Sequence, residues 1–288
     1  MLFAQIPLLW QLLFALLLGL VIGSFLNVLI LRLPRKMYAE HAAECAQDDA
    51  ESPPNRLFGL DFLISPPSTC PKCGHAIRAW ENIPVVSWLL LKGRCSNCST
   101  SISIRYPLVE LVTGLLTMGV VWHFGITIAS LALCFLLWGL LALTMIDIDE
   151  QLLPDQLTLP LLWLGLLLNI NETFVPLSDA VIGAAAGYLS LWLVFQLFRL
   201  LTGKEGMGYG DFKLFALFGA WFGWQILPLV LLLSSLVGAV IGIGQIVFRG
   251  RDHQIPIPFG PYLAIAGLVA MFWGDQINQT YLQLAGLK

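Results

Sequence analysis

Residues 131–147 read LALCFLLWGLLALTMI and then Asp147, and this stretch decides how the chain is to be understood. The run 131–146 carries no charge, and such a run belongs in or across a lipid bilayer. A carboxylate at its end costs about 2.5–3.5 kcal/mol on insertion scales, so it is expected to face a cavity and act there. A second carboxylate is placed the same way. Asp211 closes the glycine-rich GMGYGD at 206–211 and precedes FKLFALFGAWFGW. The pair points to acid/base chemistry at a membrane face.

Composition agrees. The chain has 288 residues, 58% hydrophobic and 11% charged, with a mean hydropathy of +0.81. Soluble domains carry about 25% charged residues, so an ordinary soluble class is excluded. Eight apolar runs follow, at 8–31, 107–123, 126–146, 157–170, 177–199, 212–224, 226–248 and 257–275. The fourth and sixth are short for a bilayer. The sixth and seventh are divided only by Gly223, Gln225 and Pro228. With the N-terminus outside, 32–106, 147–156, 200–211 and 249–256 become cytoplasmic, and fourteen of the fifteen Lys and Arg fall in or beside them. The positive-inside rule therefore sets both the span count and the orientation. Asp147 and Asp211 emerge on the same, cytoplasmic side. The first run is expected to be retained, because its basic residues, Arg32, Arg35 and Lys36, come after it rather than before.

The one sizeable polar segment is 32–106. It holds Cys70-Pro-Lys-Cys73 and Cys95-Ser-Asn-Cys98, a pair of knuckles separated by 21 residues. Four thiolates at this spacing suit one tetrahedral zinc; the alternatives are disulfides or a redox couple, which a reducing cytoplasm disfavours. A site closed by Cys70, Cys73, Cys95 and Cys98 has no open position for water, so zinc would be structural. Cys45 and Cys134 lack partners at such spacing, and Cys134 is expected to be packing. The acidic stretch 39–54 reads as a solvated linker or, more sharply, as a lure for a basic segment.

Around the carboxylates, Pro154 and Asp155 open the next helix, while Asp149 and Glu150 look solvated. Three glycines within 206–210 can adopt positive φ and let a substrate backbone come close to Asp211. Asp211 itself is read either as a helix N-cap or as a catalytic group. A phosphate cradle fits poorly, with no preceding strand and no following Lys-Ser/Thr.

At this point the chain resembles the type IV prepilin peptidases, bifunctional leader peptidases and N-methyltransferases of type IV pili and type II secretion. The likeness rests on GSFLNVLILRLP at 23–34, the two knuckles, NIPVVSW at 82–88, LKGRC at 91–95, RYPLVE at 105–110, IDIDEQLLPD at 146–155 and GMGYGDFKL at 206–214. Gly208-Tyr-Gly210-Asp211 fits the G-x-G-D signature of membrane aspartyl proteases. The resemblance implies that Asp147 and Asp211 cleave a short basic leader from prepilins and pseudopilins at a Gly–Phe type junction. It implies S-adenosylmethionine as co-substrate for N-methylation, with 32–106 as the contributing segment and Gly93 as a backbone-approach glycine or a simple turn. Asp149, Glu150 and Asp155 are expected to meet the basic leader. No Rossmann-type glycine motif supports the methyl-donor site independently.

The expected architecture is an all-α polytopic membrane protein of about eight transmembrane helices with a small zinc-stapled cytoplasmic insert. Its parts are a first span at 1–31, the insert at 32–106 and a seven-span aspartyl protease region at 107–288. The location is the inner (cytoplasmic) membrane, multi-pass, with a periplasmic N-terminus and an active site facing the cytoplasm. Membrane lipid is an expected partner and nucleic acid is not; the sequence sets no oligomeric state. Glu110 reads as functional or as half of a buried ion pair, Asn27 as an interhelical hydrogen bond, and His123 and His253 as interfacial. His75, beside Cys73, is a spare zinc ligand. Two other classes stay open on residues alone. A proton- or ion-coupled transporter would show internal duplication among its spans, and a non-enzymatic receptor would tolerate Asp147→Asn and Asp211→Asn. A presenilin-type protease would share G-x-G-D but lack the knuckles.

Overall fold

The computed structural model describes residues 6–46, 61–64, 67–204, 206–249 and 258–284. Among them, β-structure is limited to two isolated bridges, Thr69–Ala76 and Arg94–Ser101. Eight long helices coincide with the eight expected apolar runs: α1 (Leu8–Ala46), α4 (Arg105–Phe124), α5 (Ile128–Glu150), α6 (Asp155–Asn169), α7 (Leu177–Thr202), α8 (Tyr209–Phe222), α9 (Leu227–Arg249) and α10 (Gly260–Leu284). Two short helices, α2 (Asp61–Ile64) and α3 (Val86–Leu90), lie in the polar segment. Five of the long helices are long and apolar enough to cross a membrane: α1, α4, α5, α7 and α9. With 15 and 14 residues, α6 and α8 reach only about 21–23 Å, short of the roughly 30 Å hydrocarbon core. The two short runs in the sequence are therefore two short helices. His253 lies outside the described residues.

The chain forms two compact units, Met1–Trp138 and Gly139–Lys288, divided within α5. In the first, α1 lies against α4 at backbone distance. A Cβ on Gly19 would fall 2.7 Å from the Gly114 Cα, and one on Gly23 would fall 2.6 Å from the Glu110 Cα. Small residues permit such an approach where burial in lipid supplies no hydrophobic drive. Asn27 donates to the Tyr106 carbonyl at 3.1 Å, the interhelical bond expected of it. α1 does not stop where its apolar run stops: it continues through Pro34 to Ala46. Ala, Glu and Lys, all good helix formers, keep it going. The first part of the acidic stretch 39–54 is thus helical, and 47–54 falls outside the described residues. Arg32 turns back to donate to the Phe62 and Leu63 carbonyls of α2, at 2.9 and 3.2 Å.

In the second unit α8 is the central helix. From Asp211 to Trp221 almost every residue is buried, as expected for a helix apolar on all sides. Its neighbours approach it through glycines. A Cβ on Gly183 of α7 would meet the Gly219 carbonyl oxygen at 2.5 Å, and one on Gly165 of α6 would meet the Trp221 ring at 2.4 Å. Gly267 of α10 gives room to the Phe218 ring in the same way. At its far end α8 stops at Gly223, whose φ is 79°, and Leu227 begins α9.

Asn169, fully buried at the end of α6, closes that end of α8. Its amide donates to the Ala220 and Trp221 carbonyls at 3.0 and 3.1 Å, and its Oδ1 accepts from the Phe174 and Val175 N–H groups at 3.0 and 3.2 Å. The carbonyls are among the last of α8, which have no partner within the helix. Asn169→Leu leaves these groups buried and unmet, and should lower stability by about 2–5 kcal/mol. The check is a reduced thermal midpoint for the full chain in detergent, with Asn169→Asp retaining part of the loss.

Candidate active site and metal centre

Asp147 lies in the last turn of α5 and is 5% exposed. Its Oδ2 accepts the backbone N–H of Gly260, the first residue of α10, at 3.0 Å. A Cβ at Gly260 would stand 2.6 Å from that same Oδ2, so a side chain there would displace the carboxylate. Asp147 ends one helix, where orphan carbonyls repel it, but meets the amino end of another, where N–H groups attract it. The sequence reading did not single out Gly260. Its one signal was a glycine between Phe259 and Pro261 at the start of the last apolar run.

Asp211 sits in the first turn of α8 and is 7% exposed. The N-cap is Gly208 rather than Asp211. From the third helical position Asp211 reaches back, and its Oδ2 accepts the Gly208 N–H at 3.3 Å. The capping and chemical readings of Asp211 are therefore compatible: one oxygen is held by the backbone and a second oxygen remains. Both carboxylates line one cavity of about 320 Å³, together with Leu153, Met207, Gly208 and Phe259. Two carboxylates reached by backbone N–H groups in a partly apolar cavity can take up and deliver protons to a bound group.

The glycines of 206–210 do not serve by positive φ, as the sequence suggested: none of them is among the positive-φ residues, and Gly208 has φ −83°. Gly210 serves by close approach. A Cβ on Gly210 would lie 2.7 Å from the Leu153 Cβ, whereas one on Gly208 would meet the Asp211 Oδ2 at 3.7 Å, an ordinary contact. Asp149 and Glu150 are exposed, though they belong to the last turn of α5 rather than to a loop. Asp155 begins α6, as expected, with both oxygens 2.7 Å from the Lys213 Nζ. Its charge is already matched, which weakens its expected part in meeting a basic leader.

The four knuckle cysteines come together: their Sγ atoms all lie within 4.8 Å of one another. Two of these contacts join the knuckles, Cys70 to Cys98 at 3.8 Å and Cys73 to Cys95 at 4.0 Å. All four are free thiols, not disulfides. Sulfurs at the corners of a tetrahedron around a metal with 2.3 Å bonds stand about 3.8 Å apart, so the donor set fits such an ion. Each knuckle has the same backbone. Cys70 N–H donates to His75 O at 2.9 Å and Gly74 N–H to Cys70 O at 2.9 Å; Cys95 N–H donates to Thr100 O at 2.8 Å and Ser99 N–H to Cys95 O at 3.0 Å. Gly74 and Ser99 both turn with positive φ, 69° and 56°. The Thr100 side chain and backbone bring the Cys98 thiol down to about 6, towards the thiolate a metal requires. His75 is not in the cluster; it contacts Glu81 at 3.2 Å and Ser96 at 3.3 Å.

Gly93 is a buried turn with φ 65°, and the Trp88 ring fills the place of its side chain at 2.8 Å. Glu110, 8% exposed, accepts the Val85 N–H at 2.8 Å, a bond to backbone rather than to an arginine. Cys134 is buried in α5, as packing requires.

Two family descriptions match the chain, the Bacterial Peptidase A24 N-terminal domain over residues 17–124 and the Type IV leader peptidase family over 134–243. Curated relatives bear the name Prepilin leader peptidase/N-methyltransferase. One from Pseudomonas aeruginosa is 58% identical over 94% of this chain and 93% of its own length. One from Aeromonas salmonicida is 57% identical over 92% and 91%, and one from Legionella pneumophila is 47% identical over 92% of each. No solved structure matches.

The sulfur geometry makes a direct forecast. Purified chain should carry one bound metal ion, and replacement by cobalt should give the intense thiolate-to-metal absorption of a four-sulfur tetrahedral site. Cys70→Ser and Cys98→Ser should each lose that band and most of the metal by elemental analysis.

Proposed function

The chain belongs to the type IV leader peptidase family, and from that premise we propose that Asp147 and Asp211 are its hydrolytic pair. The protein is a multi-pass membrane enzyme that cleaves leaders from prepilins and N-methylates the product. One observation carries the assignment of residues: two buried carboxylates open into one cavity, each with its Oδ2 engaged by a backbone N–H. The transporter and receptor readings have no comparable support.

In this mechanism one carboxyl is protonated and the other ionised. The ionised group takes a proton from water as the water oxygen bonds to the scissile carbonyl carbon. The protonated group gives its proton to the carbonyl oxygen, so a neutral gem-diol forms. One carboxyl then gives its proton to the amide nitrogen while the other takes a proton from a gem-diol hydroxyl; the C–N bond breaks, amine and carboxylic acid leave, and the pair again holds a single proton. Oδ1 of each residue is the reacting oxygen, because Oδ2 is committed to Gly208 or Gly260. Gly208 lines the cavity without a side chain, and there the substrate backbone approaches the pair. The Gly–Phe type junction is part of the same proposal.

Zinc is the metal we assign to Cys70, Cys73, Cys95 and Cys98. It would tie the two knuckles together, and with four thiolates it has no position for substrate. S-adenosylmethionine would supply the methyl group, and the 32–106 segment is the region we assign to that reaction. Because Gly93 is buried under Trp88, its contribution there is to shape the turn that displays Lys92 and Arg94. The distribution of basic residues supports an inner-membrane location with the N-terminus periplasmic and the aspartates on the cytoplasmic face.

The test is mass spectrometry of a cognate prepilin incubated with the purified chain, with and without S-adenosylmethionine. Leader loss should fall by roughly 10²–10⁴-fold in Asp147→Asn and Asp211→Asn. A single added methyl should appear on the wild-type product only with the donor present. Full cleavage by either variant would remove that aspartate from the mechanism. Gly260→Ala should lower kcat by about 10²-fold, since a displacement near 1 Å is enough, while KM and metal content hold. An unchanged kcat would show that the Gly260 contact is dispensable.

A further inference from the structure

We infer that residues 80–90 of the knuckle segment form a membrane-surface anchor, inserted at the boundary between lipid headgroups and acyl chains. The segment has its own small core, made by Trp88, which packs on Gly93 and donates its indole N–H to Ile102 O at 3.1 Å. The other large apolar side chains of this stretch turn outward. Leu90 is 77% exposed, Leu89 61% and Trp80 53%, and Ile83 and Val86 are exposed beside them. Left in water, each such side chain forgoes roughly 1.5–3 kcal/mol of burial, and a contiguous group of this kind marks a contact surface.

A second, independent observation says what covers it. The Val85 N–H donates to Glu110 Oε2 at 2.8 Å. Glu110 lies five residues inside α4, which begins at Arg105 and is long and apolar enough to cross a membrane. At 1.5 Å per residue that is about 7.5 Å below the start of the helix. The tip of the segment is therefore held level with the second turn of a span rather than above it. Val85 stays there at φ 62°, a conformation a β-branched residue avoids, so the bond to buried Glu110 positions the tip against a local cost. Ile104, immediately before α4, is 67% exposed as well. The charges complete the pattern. Arg78 precedes the stretch, Lys92 and Arg94 follow it, and all three are exposed. An apolar wedge edged with cations suits anionic lipid headgroups above and acyl chains below. The sequence pattern alone presented this segment only as a polar, zinc-stapled cytoplasmic insert.

The experiment uses the full chain in vesicles containing phosphatidylglycerol, with an environment-sensitive fluorescent amino acid incorporated in place of Leu90. Lipids brominated near the headgroup end of their acyl chains should remove most of its emission, and iodide present on both sides should not. The same fluorophore in place of exposed Lys72, in the first knuckle, should respond the other way. Retained metal content and prepilin cleavage show that each labelled chain is folded. Iodide quenching at position 90 would mean that the tip is in water. Protection from both quenchers would mean that protein covers it, whether another part of this chain or a second molecule. Either result overturns the anchor.

Discussion

Two carboxylates that are nearly sealed from water, at the ends of otherwise apolar helices, are the constraint to which the second unit answers. Neither Asp147 nor Asp211 has a cationic side chain to balance it among its described hydrogen bonds. Each is held by a backbone N–H at the amino end of a helix, Gly260 for one and Gly208 for the other. A backbone donor is suited to this duty. It stabilises an anion without a mobile countercharge, and it does not abolish the basicity that proton transfer needs. The price is steric: α10 must start within hydrogen-bond distance of α5, and any side chain at position 260 would push the Asp147 carboxylate away.

The same constraint explains why the most buried helix is among the shortest. α8 carries Asp211 in its first turn and is enclosed along most of its 14 residues. Because its first turn opens on a cavity, it need not reach both faces of a membrane. Its neighbours come close by omitting side chains at Gly165, Gly183 and Gly267, and its far end is closed by the amide of Asn169. Between these two ends α8 is fixed along its length, and so is the height at which Asp211 stands.

The knuckle segment solves a different problem. It is too short to bury a sufficient core, and it folds one backbone motif twice so that four sulfurs converge. Its remaining apolar residues are not excess. Most line the outer face between Trp80 and Leu90, on the stretch tied by Val85 to a buried carboxylate of α4. A metal on the four sulfurs and lipid against the outer face, as proposed, would do for this segment what a hydrophobic core does for a larger one.

Local pattern alone was enough for much of this protein. The eight apolar runs became eight helices, the C-x-x-C spacing became a four-sulfur cluster, and two carboxylates out of keeping with their surroundings became the cavity pair. Transfer free energy, helical period and short-range spacing are properties of consecutive residues, so a one-dimensional reading captures them. The length of α1 past Arg32 was less legible, since apolarity ends there but helix propensity does not. What only the tertiary structure decided is which distant groups meet. Gly260 reaches Asp147 across 113 positions, Lys213 reaches Asp155 across 58, and Val85 reaches Glu110 across 25. A glycine or a backbone N–H carries no mark in sequence of the partner it will serve. That choice is made by how the helices pack, because only packing sets the distances on which hydrogen bonds and steric exclusion depend.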